Sequence, residues 1–363
     1  MDDSRVHGQV RVVGAGLLGA SIGLGLRSKG VDVIVHDASP ANLHLAIDYG
    51  AGRAAQDSDD PSLIVVAVPP DVIGTVVAAE LQRYPNALVT DVASVKFGPL
   101  TELRALGAEL GRYLGSHPLA GRERGGAISA RADLFIGRPW VVAPHEGNST
   151  AQLRVIEDLI LDLGAVPVEM AAEEHDKSVA LVSHVPQLIS SLLAKQLVGS
   201  SEAAMSLSGQ GLRDTTRIAG SNPELWVQIL RSNSAPVTDI LRRYRDDLDG
   251  LLEVLDTPSA PGARRALAEA LAAGNAGVAR IPGKHGQDRR FSQLVVLVDD
   301  KPGELGRLFT EMGEIGVNLE DLRLEHSPGA QVGLAEISVL PEVRQGLITE
   351  LESRGWKIAE AWQ

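Results

Sequence analysis

Short apolar runs alternate with helical stretches along the first half of the chain. Residues 9–13 form an apolar run that ends at Gly14, Leu17–Arg27 has a helical pattern, and Val31–His36 is a second run. Further runs typical of buried strands lie at Leu63–Val68, Ala87–Asp91 and Trp140–Ala143. This alternation predicts an α/β fold with a Rossmann-type parallel sheet at the N-terminal side.

The pattern changes after about Met170. Residues 171–255 are helical in pattern almost throughout, and Val179–Leu197 is apolar on more than one face, as expected of a helix that is buried on several sides. We therefore expect an all-helical domain that forms a dimer interface.

The last part of the chain has a third pattern. Residues 291–363 are predicted to form strand, helix, strand, strand, helix and strand, which together make a compact α+β sandwich. Boundaries are expected near Thr257–Gly262, which carries prolines, a glycine and small residues, and near the polar stretch Gly283–Arg290. The predicted domains are therefore 8–170, 171–285 and 291–363.

Composition narrows the class of protein. The 363 residues suffice for two or three domains, and a hydrophobic fraction of 44% excludes disorder as the main state. A formal net charge of −13 argues against nucleic acid and anionic lipid as partners. The lack of cysteine excludes disulfides, iron–sulfur clusters, thiolate zinc sites and cysteine nucleophiles.

Two further observations bear on the compartment. The acidic start, Met-Asp-Asp-Ser, runs directly into the first predicted strand, so no signal peptide is visible. Charged residues or proline interrupt every long apolar stretch before it reaches the roughly 20 residues that a membrane helix needs. We expect a soluble, cytoplasmic protein without a membrane partner.

A glycine pattern follows the first predicted strand and opens the first helix. Gly14, Gly16 and Gly19 form G-x-G-x-x-G, in which glycines permit a tight turn and close approach of the backbone to a pyrophosphate. Asp37, at the tip of the second strand, can accept the ribose hydroxyls and would repel a 2′-phosphate. The pattern predicts NAD as the cofactor; the alternatives are a glycine-rich turn without ligand and an ordinary loop aspartate. The expected cofactor-binding residues are Gly14, Gly16, Leu17, Leu18, Gly19, Asp37, Val68 and Ser94.

Three polar clusters lie farther along, at Asp91–Lys96, Ser116–Gly121 and Gly211–Ala219. Together with Ser183–Pro186 and Trp226, they resemble the prephenate dehydrogenase family, including its arogenate-using members, from about residue 10 to 255. The resemblance implies a nucleotide-binding domain, a helical dimerisation domain and an active site between them. It also implies NAD-dependent oxidative decarboxylation of prephenate to 4-hydroxyphenylpyruvate, a step of tyrosine biosynthesis.

The resemblance assigns catalytic roles to two residues. His117 matches the family's catalytic histidine, which as a neutral imidazole can accept the proton of the substrate's 4-hydroxyl while hydride leaves the same carbon. Ser94 matches a serine that bridges the hydroxyl, the histidine and the nicotinamide. The alternatives are a structural histidine for His117 and a cap or turn for Ser94. Lys96 stays open between a functional residue and a solvated charge.

The same resemblance assigns a substrate pocket. Arg217 matches the arginine that binds a substrate carboxylate, for which a guanidinium is well suited. Arg213 is expected to support it through an ion pair with Asp214, and Trp226 to line the ring pocket. Arg217 as a structural arginine and Trp226 as a core residue are the alternatives.

His184 and Gln187 share a predicted helical face and complete the expected substrate-binding set. The family often has a second histidine where this chain has Gln187. Prephenate carries a keto group in the side chain that this segment is expected to reach, whereas arogenate carries an ammonium. A neutral amide favours prephenate, and arogenate remains the alternative substrate.

The C-terminal segment resembles the ACT domain, a small regulatory fold that binds amino acids at dimer interfaces. The resemblance covers Phe291–Trp362 and implies an effector site at Gly303, whose backbone N–H groups face the ligand, with Asn318 across from it. An aromatic amino acid, first of all tyrosine, is the expected effector. The alternative is a dimerisation or capping module without a ligand.

Two other functions compete with a dehydrogenase acting on prephenate or arogenate. A 3-hydroxyacid dehydrogenase has a similar layout, but would need a catalytic lysine and asparagine on the first helix of the helical domain. A non-catalytic sensor of NAD and amino acids would not need His117, Ser94 and Arg217 together. No metal site is expected, because His145, His175 and Asp176 lack the spacing of metal ligands.

Overall fold

The computed structural model describes residues 4–120, 126–281, 291–326 and 332–359. The chain divides into two compact units. The first unit comprises Met1–Ser200 and Thr215–Asp246, and the second comprises Ser201–Asp214 and Asp247–Gln363. Gly121, the linker Gly283–Arg290 and Trp362, all used in the sequence interpretation, lie outside the described residues.

The strands are β1 (Val10–Val13), β2 (Val33–His36), β3 (Leu63–Val66), β4 (Leu88–Asp91), β5 (Gly115–Pro118), β6 (Pro139–Ala143), β7 (Val166–Glu169), β8 (Ser292–Asp299), β9 (Asp321–His326), β10 (Val332–Val339) and β11 (Lys357–Ala359). The α-helices are α1 (Leu17–Ser28), α2 (Pro40–Asp48), α3 (Ile73–Arg83), α4 (Phe97–Ala105), α5 (Thr150–Asp162), α6 (Ala172–Val179), α7 (Val185–Lys195), α8 (Glu202–Ser206), α9 (Gln210–Thr216), α10 (Pro223–Ser232), α11 (Ser234–Asp256), α12 (Ala263–Val278), α13 (Glu304–Ile315) and α14 (Pro341–Ser353). No helix within the described ranges is long and apolar enough to cross a membrane.

The first unit is built on a parallel sheet with strand order β2-β1-β3-β4. A second sheet has the order β5-β6-β7, in which β5 and β6 are antiparallel. Tyr113, just ahead of β5, bridges Val89 of β4 in parallel orientation, so β5 runs alongside β4. The carboxyl ends of β1 to β4 therefore share one edge, where ligands bind in open parallel sheets.

The apolar runs form this sheet because helices cover both of its faces. Every residue of β1, β3 and β4 is buried, and the side chains fall into two clusters, one on each side. Arg11 is the one polar residue of β1. Its guanidinium is buried and makes a bidentate ion pair with Glu80 of α3, 2.9 Å between Nε and Oε2.

The helical segment of the first unit departs from a continuous helix at one place. Between α6 and α7, residues Ala180–His184 form a π-helical turn. Pro186, in the first turn of α7, has no N–H to donate to the preceding turn, and a wider turn relieves the clash of its ring. Two apolar side chains of this turn, Leu181 and Val182, are 58% and 68% exposed, so one face predicted to be buried is open in the single chain.

The C-terminal part of the second unit has the predicted order of strand, helix, strand, strand, helix and strand. Its antiparallel sheet has the order β11-β8-β10-β9. Alternate residues of β8 are buried, which is the pattern of a sheet that is covered on one face. Leu308 of α13 and Leu347 of α14 join them in a separate core.

Candidate active site

The glycine pattern forms a tight turn between β1 and α1. Gly14 has φ +103°, and a Cβ there would lie 2.4 Å from the carbonyl oxygen of Ala67. A Cβ at Gly19 would lie 1.9 Å from the carbonyl oxygen of Gly14. At Gly16 a Cβ would meet no described atom within 4 Å, so the turn exposes backbone there. Gly16 directly precedes α1 as its N-cap and provides no side-chain cap, which leaves N–H groups available to an anion.

Asp37 lies directly after β2 at the same edge. One carboxylate oxygen accepts a hydrogen bond from the Ala15 N–H at 2.7 Å, and the other accepts from the Ser39 N–H at 2.8 Å. These two bonds hold the carboxylate beside the glycine turn. A negative charge fixed at this place would repel a phosphate group on the 2′-oxygen of a ribose.

Three other predicted cofactor residues lie at this turn. The side chains of Leu17 and Leu18 pack against the sheet core, so these residues can offer only their backbone to a ligand without repacking. Val68 follows β3, and its Cγ1 would lie 3.2 Å from a Cβ on Gly14. Gly14, Asp37 and Val68 therefore lie along one edge of the sheet.

His117, on β5, is half-buried and belongs to a row of three side chains. Its Nδ1 lies 2.9 Å from Nε2 of His175, and Nδ1 of His175 lies 2.7 Å from Oδ1 of Asp176. The two imidazole rings are nearly perpendicular, at 84°. Burial holds the pKa of His117 well below its usual value of 6.5, and neighbouring His175, Lys96 and His184 lower it further. The imidazole of His117 is therefore neutral near pH 7.

Asp176 ties helix α6 to the start of α4. Its carboxylate oxygens accept hydrogen bonds from the backbone N–H groups of Lys96, at 2.8 Å, and Phe97, at 3.0 Å. Ser94 is half-buried in the segment that leads into α4. Within the described part of the chain, no hydrogen bond joins Ser94 to His117.

Lys96 is 1% exposed, so the interpretation as a solvated charge is wrong. Its ammonium pairs with the carboxylate of Asp91, and the hydroxyl of Tyr113 donates to the other oxygen of that carboxylate at 2.6 Å. Burial lowers the pKa of Lys96, while the charge of Asp91 opposes that shift. Lys96 belongs to the same segment as Ser94, two residues farther along the chain.

His184 ends the π-helical turn and is buried. The side-chain amide of Asn233 donates to Nδ1 of His184 at 3.0 Å and to the main-chain carbonyl of Asp176 at 2.8 Å. The ring of Trp226 packs edge to face against His184, with centroids 6.0 Å apart. Burial lowers the pKa of His184 to about 4, so the ring is neutral and its proton lies on Nε2.

Arg217 and Gln187 both belong to the first unit. Arg217 is exposed and opens the 3₁₀ turn Arg217–Gly220, which packs against α7. Gln187 is buried on α7, where its amide donates to the Ser191 hydroxyl at 3.4 Å.

Arg213 and Asp214, on α9, differ from the expectation. Among the described residues they form no ion pair with each other, and Asp214 accepts a hydrogen bond from Gln210 at 2.8 Å. The spacing explains this result, because adjacent residues on a helix point in different directions, whereas residues four apart face each other.

The structure thus brings His117, His184 and Trp226 into one connected set, through residues to which the sequence interpretation gave no role: His175, Asp176 and Asn233. The adjacent His175 and Asp176, in a segment predicted to be helical, were the feature of the sequence that could have indicated these residues. Its partner His117 lies 58 residues away along the chain, so spacing could not reveal the contact.

Comparison with known proteins decides the family. Residues 22–169 match the prephenate dehydrogenase nucleotide-binding domain, and residues 171–271 match the prephenate dehydrogenase dimerization domain. The probable prephenate dehydrogenase NovF of Streptomyces niveus is 36% identical over 355 residues, which cover 95% of this chain and 98% of NovF. The chain belongs to the prephenate dehydrogenase family.

Solved structures of this family share the fold. The prephenate dehydrogenase of Aquifex aeolicus, solved with hydroxyphenyl propionate and NAD⁺, has a TM-score of 0.65 at 24% identity, covering 76% of this chain and all of that chain. The arogenate dehydrogenase of Synechocystis has a TM-score of 0.62 at 28% identity, covering 74% of this chain and 99% of that chain. This chain is therefore longer than either of these solved chains.

Proposed function

We propose that this member of the prephenate dehydrogenase family is itself an NAD-dependent prephenate dehydrogenase, which oxidatively decarboxylates prephenate to 4-hydroxyphenylpyruvate. The observation that carries the proposal is that His117 is neutral and hydrogen-bonded to His175. It lies in the same unit as the glycine turn between β1 and α1. The similarity to NovF over nearly the whole of both chains supports the same activity.

The turn after β1 fits NAD. Gly14, Gly16 and Gly19 would hold the pyrophosphate against the start of α1, with the backbone of Leu17 and Leu18 and the side chain of Val68 beside them, and Asp37 would accept the ribose hydroxyls. When bound, NAD supplies the acceptor for the hydride that leaves C4 of the substrate.

The residues of this chain would then handle the proton and the carboxylates. His117 would accept the proton of the 4-hydroxyl, Ser94 would bridge that hydroxyl to His117, and loss of CO₂ would make the ring aromatic. Arg217 would bind a carboxylate as a charge-assisted pair. His184 would donate from Nε2, and Trp226 would line the ring pocket.

A direct assay tests this proposal. NADH formation should be measured with prephenate and with arogenate, each with NAD and with NADP. We expect the highest kcat/KM for prephenate with NAD. No NADH from either substrate would contradict the assignment as a dehydrogenase of this family's chemistry.

The assay with NADP also tests Asp37. Replacing Asp37 with serine removes the charge that repels a 2′-phosphate, so the preference for NAD should narrow by about tenfold, or about 1.4 kcal/mol. Asp48→Ser is the matched control, because Asp48 is an exposed aspartate on α2. Equal kcat/KM of the unmodified enzyme with NAD and NADP would contradict the role of Asp37.

Arogenate dehydrogenase is the second candidate function, favoured by the similarity to the Synechocystis protein. The choice rests on Gln187, which we propose reaches the side chain of the substrate. An amide donates to a keto oxygen but has no charge to offset the ammonium of arogenate.

Gln187→Glu should therefore move the ratio of kcat/KM toward arogenate by about tenfold, because a carboxylate attracts the ammonium and repels the neighbouring carboxylate. Gln196→Glu, at the exposed end of the same helix, controls for the added charge. If Gln187→Glu leaves the ratio unchanged, Gln187 does not contact the substrate side chain.

We also propose the domains 8–170, 171–285 and 291–363, and a homodimer formed by the helical domain in the cytoplasm. The match to the family's dimerization domain supports the dimer. Between residues 181 and 198, the large apolar side chains that are more than 40% exposed would be covered by a second copy: Leu181, Val182, Leu192, Leu193 and Val198.

For residues 291–363 we propose an ACT-like domain that binds an aromatic amino acid, with tyrosine as the first candidate. The strand order β11-β8-β10-β9 and the two helices support this proposal. A cavity of about 120 Å³ adjoins Gly303, which has φ +95° and is the N-cap of α13. Asn318 is not among the described residues that line this cavity; its amide donates to Glu320 at 3.0 Å.

Gly303→Ala should abolish effector binding, since a side chain at the start of α13 would alter the loop that faces the ligand. Gly355→Ala is the matched control, because Gly355 has φ +89°, is equally open, and carries the same backbone strain. Calorimetry with tyrosine, phenylalanine and tryptophan measures binding, and kinetics should show a coupling of about 1 to 3 kcal/mol in the unmodified chain. No binding of any of the three would favour a capping module.

A further inference from the structure

His175 lies between the proposed base and a carboxylate, and it is buried. Both of its ring nitrogens are used in one row, Nε2 toward Nδ1 of His117 at 2.9 Å and Nδ1 toward Asp176 at 2.7 Å. A buried histidine needs partners for its polar atoms, but any backbone carbonyl would serve that need. Here one of the two partners is the residue proposed to move the proton.

The direction of the hydrogen bonds in this row follows from Asp176. Its carboxylate accepts N–H groups from Lys96 and Phe97 at the start of α4, where the helix dipole also favours a negative charge. An ionised carboxylate can only accept, so Nδ1 of His175 carries a proton and donates it to Asp176. With a single proton on this ring, Nε2 of His175 is then an acceptor.

The same reasoning fixes the ring of His117. Because Nε2 of His175 accepts, Nδ1 of His117 must carry the proton and donate. The lone pair of His117 therefore lies on Nε2, the nitrogen that has no partner among the residues of this row. The opposite tautomer would bring two lone pairs together at 2.9 Å.

We infer that His175, oriented by Asp176, is a positioning residue that holds His117 in the tautomer able to accept a proton at Nε2. This inference rests on the proposed role of His117 as the base. His175 also accepts from the imidazolium that forms when His117 takes the proton, and so stabilises the charge that develops there. It does not need to touch the substrate.

The experiment uses His175→Ala, His175→Gln and, as the control, His145→Gln. The glutamine side-chain oxygen at position 175 can accept from Nδ1 of His117, whereas alanine cannot. His145 is another half-buried histidine, which contacts the carbonyl oxygen of Tyr113 at 3.0 Å and does not contact His117. Asp176 is left unchanged, because it also caps α4.

Two readouts separate positioning from a merely structural role. The first is steady-state kinetics: His175→Ala should lower kcat by about 10- to 100-fold, the usual range for losing a hydrogen bond to a charged group, while KM for prephenate and the Kd for NAD stay within about threefold. His175→Gln should recover most of kcat, and His145→Gln should match the wild type.

The second readout needs no substrate. In ¹⁵N-histidine-labelled wild-type protein at neutral pH, the His117 resonances, assigned by their loss in His117→Asn, should have the shifts of a ring protonated on Nδ1. In His175→Ala the two tautomers should mix.

Three results would overturn the inference: a wild-type His117 protonated on Nε2, a kcat within threefold of wild type in His175→Ala, or equal kcat in the alanine and glutamine variants. If His175→Ala does not fold, the wild-type spectrum and His175→Gln still decide. A wild type that forms no NADH from prephenate contradicts the proposed function, while the spectrum alone continues to test the tautomer.

Discussion

Replacing His117 with asparagine is expected to lower turnover by about 10² to 10⁴, the usual contribution of a general base. Asparagine keeps a hydrogen-bonding side chain at this place on β5 but has no basic nitrogen. The Kd for NAD should stay within about twofold, because the glycine turn after β1 does not include His117. Single-turnover NADH formation and fluorescence titration of the dinucleotide measure the two quantities.

The pH profile of the unmodified enzyme bears on the same residue. The base works only when neutral, and burial lowers its pKa, so protonation requires a lower pH than it does for a free imidazole. The kcat/KM for prephenate should thus stay level as pH falls through 6.5 and decline only below it.

His145→Asn is the matched control for His117→Asn, since it also exchanges a half-buried histidine of the same unit. Turnover of His117→Asn within a few-fold of wild type would mean that another group accepts the proton. A decline of kcat/KM already centred above pH 6.5 would mean that the imidazole of His117 does not have the lowered pKa.

Replacing Arg217 with alanine is expected to weaken interaction with the substrate by about 2 to 5 kcal/mol, the range for removing one partner of a buried charge pair. Arg217 is an exposed residue, and we expect its guanidinium to become buried when the substrate carboxylate lies against it. The loss should appear in kcat/KM for prephenate as about 30-fold or more, with KM carrying most of it.

Arg217→Lys should fall between alanine and wild type, because an ammonium retains the charge but cannot form the bidentate pair. Arg231→Ala removes an exposed arginine from α10 and is the control for net charge. Normal saturation with prephenate in Arg217→Ala would return Arg217 to a structural role.

The sequence predicted the elements that have strong periodicity. Strands β1 to β4, helix α1 and the order of elements after residue 291 were confirmed, because buried parallel strands and alternating strands leave plain patterns. Two strands were missed. β5 has the sequence Gly-Ser-His-Pro and β7 has Val-Pro-Val-Glu, and in each a proline weakens the strand pattern.

The missed strand β5 matters most, because it carries His117. Its position follows from the sheet, since Ser116 donates to the carbonyl of Asp91 at 2.9 Å and thereby fixes β5 against β4. The motif around His117 identified the residue, but neither propensity nor spacing could place it beside His175. The burial of Lys96 was also missed. Asp91 and Lys96 were placed in one polar cluster, but their spacing did not show that the two charges pair inside the protein.

One carboxylate, that of Asp176, joins the start of α4 to the ring of His175. Chimeras built from related enzymes must preserve both of these contacts. Residues 91–97 and 172–184 are separated by more than seventy positions, yet both must come from the same parent to keep the contacts of Asp176. A crossover that takes these two segments from different parents would shift the start of α4 relative to Asp176 and rotate His175. Recombined enzymes should therefore retain activity mainly when both segments come from the same parent.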